Sequence, residues 1–230
     1  MEQINFAIIV SGGSGKRLGS DTPKQYLEVN GKTILQYSLE AFLTHPKIHG
    51  VIVVAHNDYL LLTEEIAANI QSDKEIQIVK GGTERHLSVL EGLKAAEMAE
   101  PFSNVLIHDA VRPNVSQQII SDTIEALENH EAVSTAISVS DTIYIKDNNE
   151  ISVPNRNNVY AAQTPQAFRL SAMLEAYLML RMNNGFAPTD DVSVYLKAFP
   201  KRAIFIVNGS SDNKKITYSS DLNWFDEVIS

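Results

Sequence analysis

The residues best suited to chemistry in this chain gather around one glycine-rich run. From Gly12 to Gly19 the sequence reads GGSGKRLG, and PKQY follows at Pro23 to Tyr26, so Arg17 and Lys24 bring fixed positive charge to a loop holding four of the chain's eleven glycines. Glycine backbone takes positive φ freely and approaches a ligand with no Cβ in the way. Successive free N–H groups in such a loop form an anion-binding concavity. The chemistry suggested is phosphate binding, although a basic surface turn would use the same residue types. Two common phosphate motifs are excluded by spacing. GxxxxGK[ST] fails because Arg17 follows Lys16 and Val10 stands five residues before Gly15; GxGxxG fails because Leu18 stands three residues after Gly15.

Two further junctions carry candidate groups. Asn104 to Pro113 reads NVLIHDAVRP, which puts Asp109 at the end of a short apolar run, where an acid can hold a ribose hydroxyl or a magnesium ion. Arg112 offers a planar fork for an oxyanion. His108 is expected to pack and hydrogen-bond at the strand's end, and the other histidines show no metal-ligand spacing. In the second junction, Gly81-Gly82-Thr83-Glu84-Arg85 leads into the helical SVLEGLKAAEMA, Ser88 to Ala99. Thr83 or Ser88 could cap that helix, or its exposed backbone and a hydroxyl could meet the edge of a nucleobase.

The elements that position these groups alternate along the chain. FAIIVS (Phe6 to Ser11), VIVVA (Val51 to Ala55), IQIVK (Ile76 to Lys80) and NVLIH are apolar, β-rich runs of the kind buried on both faces of a parallel sheet. Between them, Thr33 to His45 and Tyr59 to Gln71 read as helices, and the alternation predicts an α/β fold of Rossmann-like type, its mostly parallel sheet covered by helices on both faces. Ligands of such sheets bind at the carboxyl ends of the strands. After a helix near Gln117 to Asn129, VSTAISVS and TIYIK, the polar turn DNNE and ISVPNRNNVYAAQTPQAF predict a protruding β-arm at about 139–163. Such an arm cannot bury both faces on its own domain, so a partner subunit is expected to cover it. A helix from Ser171 to Met182, an NNG turn at Asn183 to Gly185, a helix capped by Thr189 or Asp190, a strand AIFIVNGS and a closing helix SSDLNWFDEVI complete the chain.

The chain's 230 residues, 44% of them hydrophobic and 20% charged, fit one domain spanning 1–230. A net charge of −9 disfavours nucleic acid and anionic membranes as partners. With no cysteine, a thiol nucleophile and thiolate metal ligands are excluded, and a cytoplasmic location is compatible. No apolar run approaches the about 20 residues of a membrane span, and because MEQINFAIIV passes straight into the first strand no leader is expected.

Taken in order, GSGKRLG with PKQY, GGTERHLSV, HDAVRP, SDTI, RNNVYAAQTPQAF, TDDVSV and NKKIT span almost the whole chain. The set resembles the cytidylyltransferase family of 2-C-methyl-D-erythritol 4-phosphate, whose near relatives act on ribitol 5-phosphate. The resemblance implies a nucleotidyltransferase-type fold and Mg²⁺-dependent transfer from CTP to a polyol phosphate, giving a CDP-polyol and pyrophosphate. It assigns Arg17, Lys24 and Lys215 to catalysis around the triphosphate. Backbone groups of Ser11, Gly12, Gly13, Ser14 and Gly15 would meet phosphates and base, Gly82, Thr83 and Ser88 the cytosine, and Asp109 with Ala110 the ribose or, through Asp109, the metal. Arg112 and Thr189, with Thr142, Arg156 and Thr164 from a neighbouring subunit's arm, would bind the polyol phosphate in an arm-exchanged homodimer. SGG and VPNRNNVY resemble the ribitol type, SVLEGLKAA and TDDVSV the erythritol type, and the erythritol acceptor is the leading expectation. Of Lys214 and Lys215, the latter precedes Ile216-Thr217 and is expected to face the site. A nucleotide-binding regulator without turnover would need the glycine loop but not the cations; a nicotinamide oxidoreductase would need the GxGxxG that is missing.

Overall fold

The structure, a computed structural model, describes residues 3–13, 22–181 and 188–230, with Arg181 described by its backbone alone. Strands β1 (Asn5–Ser11), β4 (Gly50–Ala55), β5 (Glu75–Lys80) and β6 (Asn104–Asp109) form the parallel half of a seven-stranded sheet. The sheet continues through β10 (Tyr160–Arg169), β7 (Ala132–Ser138) and β11 (Phe205–Asn208), in the order β11-β7-β10-β6-β1-β4-β5. Only β10 runs antiparallel to its neighbours, β6 and β7. Every residue of β4 and β6 is buried, as the apolar runs VIVVA and VLI at their centres require when helices cover both faces.

Alternate residues of β1 serve the two faces. Ala7 and Ile9 pack with α1 (Ile34–Leu43), α2 (Leu60–Ala68) and α4 (Gln117–Ala126), while Ile8 packs with α3 (Arg85–Ala99), α5 (Leu170–Arg181) and α6 (Asp191–Ala198). The axis of α3 comes so close to β1 that a Cβ on Gly92 would lie 2.6 Å from Ile8 Cγ2. A small third cluster joins the hairpin β2 (Glu28–Val29) and β3 (Lys32–Thr33) to α7 (Ser219–Ile229) through Val29, Ile34, Val111, Ile216 and Phe225. Ile216 is the buried pin of this cluster, and its N–H donates to the Val111 carbonyl at 2.8 Å, so the NKKIT segment is fastened to the loop after β6.

The stretch expected to form an arm, 139–163, is exposed over most of its length. It carries a two-stranded ribbon, β8 (Ile145–Asp147) with β9 (Glu150–Ser152), turned at Asn148, whose φ is +50°. Residues 160–162 already pair with β7, and Gln163 and Thr164 are buried in a register shift of β10. Residues 140–153 are all exposed, and so are 160–162 at the start of β10. Helix α3 begins at Arg85, three residues before the predicted start, with Glu84 as N-cap and no side-chain cap; neither Thr83 nor Ser88 takes that role. Asp190, not Thr189, caps α6, its carboxylate accepting from Ser193 N at 2.9 Å. The predicted NNG turn lies outside the described residues, and among the described residues no helix is long and apolar enough to cross a membrane.

Candidate functional site

At the carboxyl ends of β1, β4, β5 and β6 lies a cleft of about 440 Å³. Its lining includes Ser11, Gly12, Gly13, Lys24, Gly82, Thr83, Ser88, Asp109 and Lys215, nine of the residues expected to form the site. Ala110 lies fully buried after Asp109, its carbonyl accepting from Ser38 Oγ at 2.8 Å. Ser14, Gly15 and Arg17 lie outside the described residues.

Beside the glycine loop, a single turn of 3-10 helix at Lys24–Tyr26 supplies two groups. Buried Gln25 donates from Nε2 to the carbonyls of Ser11 and Gly13, at 2.7 and 2.9 Å, which holds the backbone from Ser11 to Gly13 in place. Lys24 Nζ donates to the Ile216 carbonyl at 2.7 Å. That bond joins the two ends of the chain at the mouth of the cleft.

Across the cleft, Ser88 acts as a keystone for the turn after β5. Its hydroxyl accepts from Gly82 N at 3.1 Å and donates to the Glu84 carbonyl at 3.1 Å. A Cβ on Gly82 would sit 2.4 Å from Leu87 Cβ, and one on Gly12 would sit 3.2 Å from Ser88 Oγ. A side chain at Gly82 would therefore collide with this wall. Ser11 Oγ is buried and among the described residues finds no partner.

Asp109 is the electrostatic centre. Its Oδ1 accepts from Arg85 Nε at 3.2 Å, its Oδ2 accepts from Lys215 Nζ at 2.8 Å, and Arg112 Nε stands 3.9 Å from Oδ2. Burial alone would raise the Asp109 carboxyl, but Arg85, Lys215 and Arg112 outweigh it and hold the group well below the usual carboxylate range. Lys214, next along the chain, points the other way, to Asp221 Oδ1 at 2.7 Å and over the Trp224 ring. Lys215 is therefore the lysine that faces the cleft, as expected.

Behind Asp109 a chain of hydrogen bonds sets the tautomer of His108. Nε2 lies 3.0 Å from the Arg112 carbonyl, which only accepts, so the proton sits on Nε2; Nδ1 then accepts from the Thr164 hydroxyl, which itself accepts from Asp109 N. Burial pushes the His108 imidazole down to about 4, so it is neutral here and packed rather than catalytic.

This chain corrects one expectation. Thr164 does not reach a cleft from a neighbouring arm; it is buried beneath Asp109 of its own chain with its hydroxyl occupied on both sides. Arg112, too, is largely enclosed, donating from Nη1 to the Asn213 carbonyl at 2.7 Å, and burial first of all lowers its pKa. Thr189 is exposed in the turn before α6, and Thr142 and Arg156 are exposed on the arm, where Arg156 donates to the Ser140 carbonyl at 3.2 Å. Neither arm residue lines the cleft of its own chain among the described residues.

Three residues with a part in the site went unread in the sequence: Gln25, Arg85 and Asp191. Arg85 Nη2 donates to Asp191 Oδ2 at 2.8 Å while its Nε holds Asp109. A cation in the first turn of a helix opposes the macrodipole, so Arg85 right after the Gly-Gly turn was itself a sign of carboxylates nearby.

Two acids, Glu84 and Asp109, line the cleft; a hard divalent cation such as Mg²⁺ takes one or two carboxylates together with waters and substrate phosphates. Among the described residues no group of three or more His, Cys, Asp or Glu side chains could hold a metal ion by themselves.

Known proteins resemble this chain along its whole length. A sequence profile of the 2-C-methyl-D-erythritol 4-phosphate cytidylyltransferase family matches residues 5–229. The enzyme of that name from Clostridium botulinum (strain 657 / Type Ba4) is 36% identical over 227 residues, 98% of this chain and 97% of the relative. A bifunctional ribulose 5-phosphate reductase/CDP-ribitol pyrophosphorylase from Haemophilus influenzae is 37% identical over 228 residues, and the chain spans 48% of that longer protein. The crystal structure of 4-diphosphocytidyl-2C-methyl-D-erythritol synthase from Anaerococcus prevotii DSM 20548 superposes with a TM-score of 0.87 at 32% identity, over 99% of this chain and 96% of the other.

Proposed function

The chain belongs to the 2-C-methyl-D-erythritol 4-phosphate cytidylyltransferase family, and on that premise we propose that its cleft joins CTP to 2-C-methyl-D-erythritol 4-phosphate, releasing pyrophosphate and 4-diphosphocytidyl-2-C-methyl-D-erythritol. The observation that carries the proposal is the convergence, in one cleft, of the Gly12-Gly13 backbone, the Gly82–Ser88 wall, Asp109 and the cations Lys24 and Lys215.

In this reading an oxygen of the acceptor's phosphate attacks the α-phosphorus of CTP. A P–O bond forms there as the bond from the α-phosphorus to the bridging oxygen breaks, and pyrophosphate departs with that electron pair. The attacking oxygen is already ionised, so the protein supplies no nucleophile and no general base. Its work is positioning and charge neutralisation. Lys24 and Lys215 both line the cleft, Lys24 bonded to the carbonyl of Ile216 next to Lys215, and Arg17 stands between β1 and Lys24 in the sequence; together they would balance the charge that gathers on the phosphates. Asp109 would hold Mg²⁺ or a ribose hydroxyl, the metal's contribution being to draw the triphosphate's charge toward one face. Backbone of Ser11 to Gly15 receives the phosphates, while Gly82, Thr83 and Ser88 select cytosine by fixed hydrogen-bonding groups, which reject a mismatched base more sharply than an apolar pocket can.

The arm completes the site from a second copy. Ile143, Tyr144, Ile145, Ile151 and Val153 are exposed on a ribbon that its own chain leaves uncovered, and a partner that buries them would bring Thr142 and Arg156 to the acceptor's phosphate beside Thr189. The working protein is then a homodimer in the cytoplasm.

Ribitol 5-phosphate is the second acceptor to consider, favoured by the Haemophilus influenzae relative and by the SGG loop. Pyrophosphate release with 2-C-methyl-D-erythritol 4-phosphate and each of CTP, UTP, ATP and GTP tests the nucleotide half of the proposal. Turnover with CTP alone is expected, and equal turnover with UTP would overturn the base assignment.

A further inference from the structure

Arg85 joins two buried acids that belong to different parts of the fold. Its Nε holds Asp109 at the carboxyl end of β6, and its Nη2 holds Asp191 at the first residue of α6. Asp191 is wholly enclosed: Tyr177 donates its hydroxyl to Oδ1 at 3.1 Å, and the N–H groups of Asp191 and Val192 both donate to Gln166 Oε1. The far end of Arg85 is thus anchored in packed structure, and burial, which by itself would lower its pKa, is outweighed by the two carboxylates.

Asp109 has a different hydrogen-bonding partner on each oxygen, with Arg112 Nε standing 3.9 Å from Oδ2 as a further cation. Lys215 takes Oδ2 from the cleft side with a side chain that is 39% exposed, whereas Arg85 takes Oδ1 from the wall. A triphosphate in the cleft competes with Asp109 for Lys215. It does not compete for Arg85 in the same way, because half of that guanidinium is committed to Asp191.

We propose that Arg85 is the positioning residue for Asp109: by spanning the two carboxylates it fixes the plane of the Asp109 carboxyl and keeps Oδ2 turned toward the nucleotide when Lys215 moves to the phosphates. The proposal rests on the nucleotide reading of the cleft. Lysine cannot replace arginine here, since one ammonium cannot serve two acids through the two ends of a planar fork.

The test is a double-mutant cycle on CTP affinity, measured by calorimetry with Mg²⁺ in the full chain, for the unaltered protein, Arg85→Lys, Asp109→Asn and the double variant. A residue that acts through Asp109 loses its effect once Asp109 is changed. Arg85→Lys is expected to weaken CTP binding about tenfold alone, within the span of measured coupling between contacting residues, and less than about twofold in the Asp109→Asn background. An equal loss in both backgrounds would overturn the proposal and leave Arg85 as a structural clamp on Asp191. Should Arg85→Lys fail to fold, Arg85→Gln, which keeps a planar donor, is read in the same cycle. Failure of the unaltered protein to bind CTP would instead overturn the nucleotide reading, and the proposal with it.

Discussion

Two adjacent lysines should respond to the same substitution in opposite ways. Lys215→Met removes the ammonium that sits 2.8 Å from Asp109 Oδ2, while Lys214→Met removes the one that sits 2.7 Å from Asp221 Oδ1. Both side chains are more than a third exposed, so the ion pairs are screened and each contributes about 1 kcal/mol or less to folding. For Lys215→Met, Arg85 still holds the Asp109 carboxylate and the melting temperature should stay within about 2 °C of the unaltered protein. Its effect on turnover is of another size. Loss of one preorganised positive group facing the charge of the transition state costs on the order of 3 kcal/mol, so kcat/KM should fall about 150-fold. Lys214→Met should do the reverse. Asp221 keeps the N–H groups of Thr217 and Tyr218, each at 2.8 Å, but loses its cation and the contact over Trp224, so melting should fall by about 2–4 °C with kcat/KM within about twofold. Steady-state pyrophosphate release and thermal melting on the two purified variants decide the matter. If Lys214→Met lost turnover while Lys215→Met retained it, the assignment of the inward lysine, and with it the charge-neutralisation account, would be wrong.

Gly82→Ala forces a Cβ to within 2.4 Å of Leu87 Cβ and displaces the N–H that Ser88 accepts, so CTP affinity should drop by about tenfold or more, as read by calorimetry. A variant that binds CTP normally would show that this wall is not the base site. On the arm, Ile151→Glu places a charge on an exposed apolar ribbon and should give a monomer by light scattering with little turnover; an active monomer would remove the partner-completed site. His45 supplies a pH prediction away from the cleft. Burial first, then the charges of Lys74 and Lys47, lower its pKa from 6.5, so its contribution to stability is present above pH 6.5 and is lost as pH falls below that. His45→Gln should therefore lose less melting temperature between pH 7 and pH 5 than the unaltered protein, and parallel curves for the two would refute the assignment.

How far the sequence could be read depends on whether a feature is local. Strands β4 and β6 are legible because each is covered on both faces, which leaves apolar runs such as VIVVA and the VLI of NVLIH, and the carboxyl-end rule then brings Gly12, Gly82 and Asp109 together. The start of α3 was misplaced because Glu84 caps it without a side-chain bond, which leaves no signature in the residue types. Thr164 was assigned to the arm because nothing local announces the register shift of β10 that buries it beneath Asp109. Asp191 stands beside the two expected caps, Thr189 and Asp190, and drew no reading of its own. Its partner Arg85 lies 106 residues away, and only the packing of α3 against α5 and α6 brings the two to 2.8 Å.

Acceptor choice tests the central claim most directly. The purified protein, given CTP and Mg²⁺, should release pyrophosphate in step with formation of a cytidylylated product from 2-C-methyl-D-erythritol 4-phosphate, and do so far more slowly with D-ribitol 5-phosphate. Preference for ribitol 5-phosphate would contradict the acceptor assignment while leaving the cation roles in place, and release with neither acceptor would contradict the account of the cleft as a cytidylyl-transfer site.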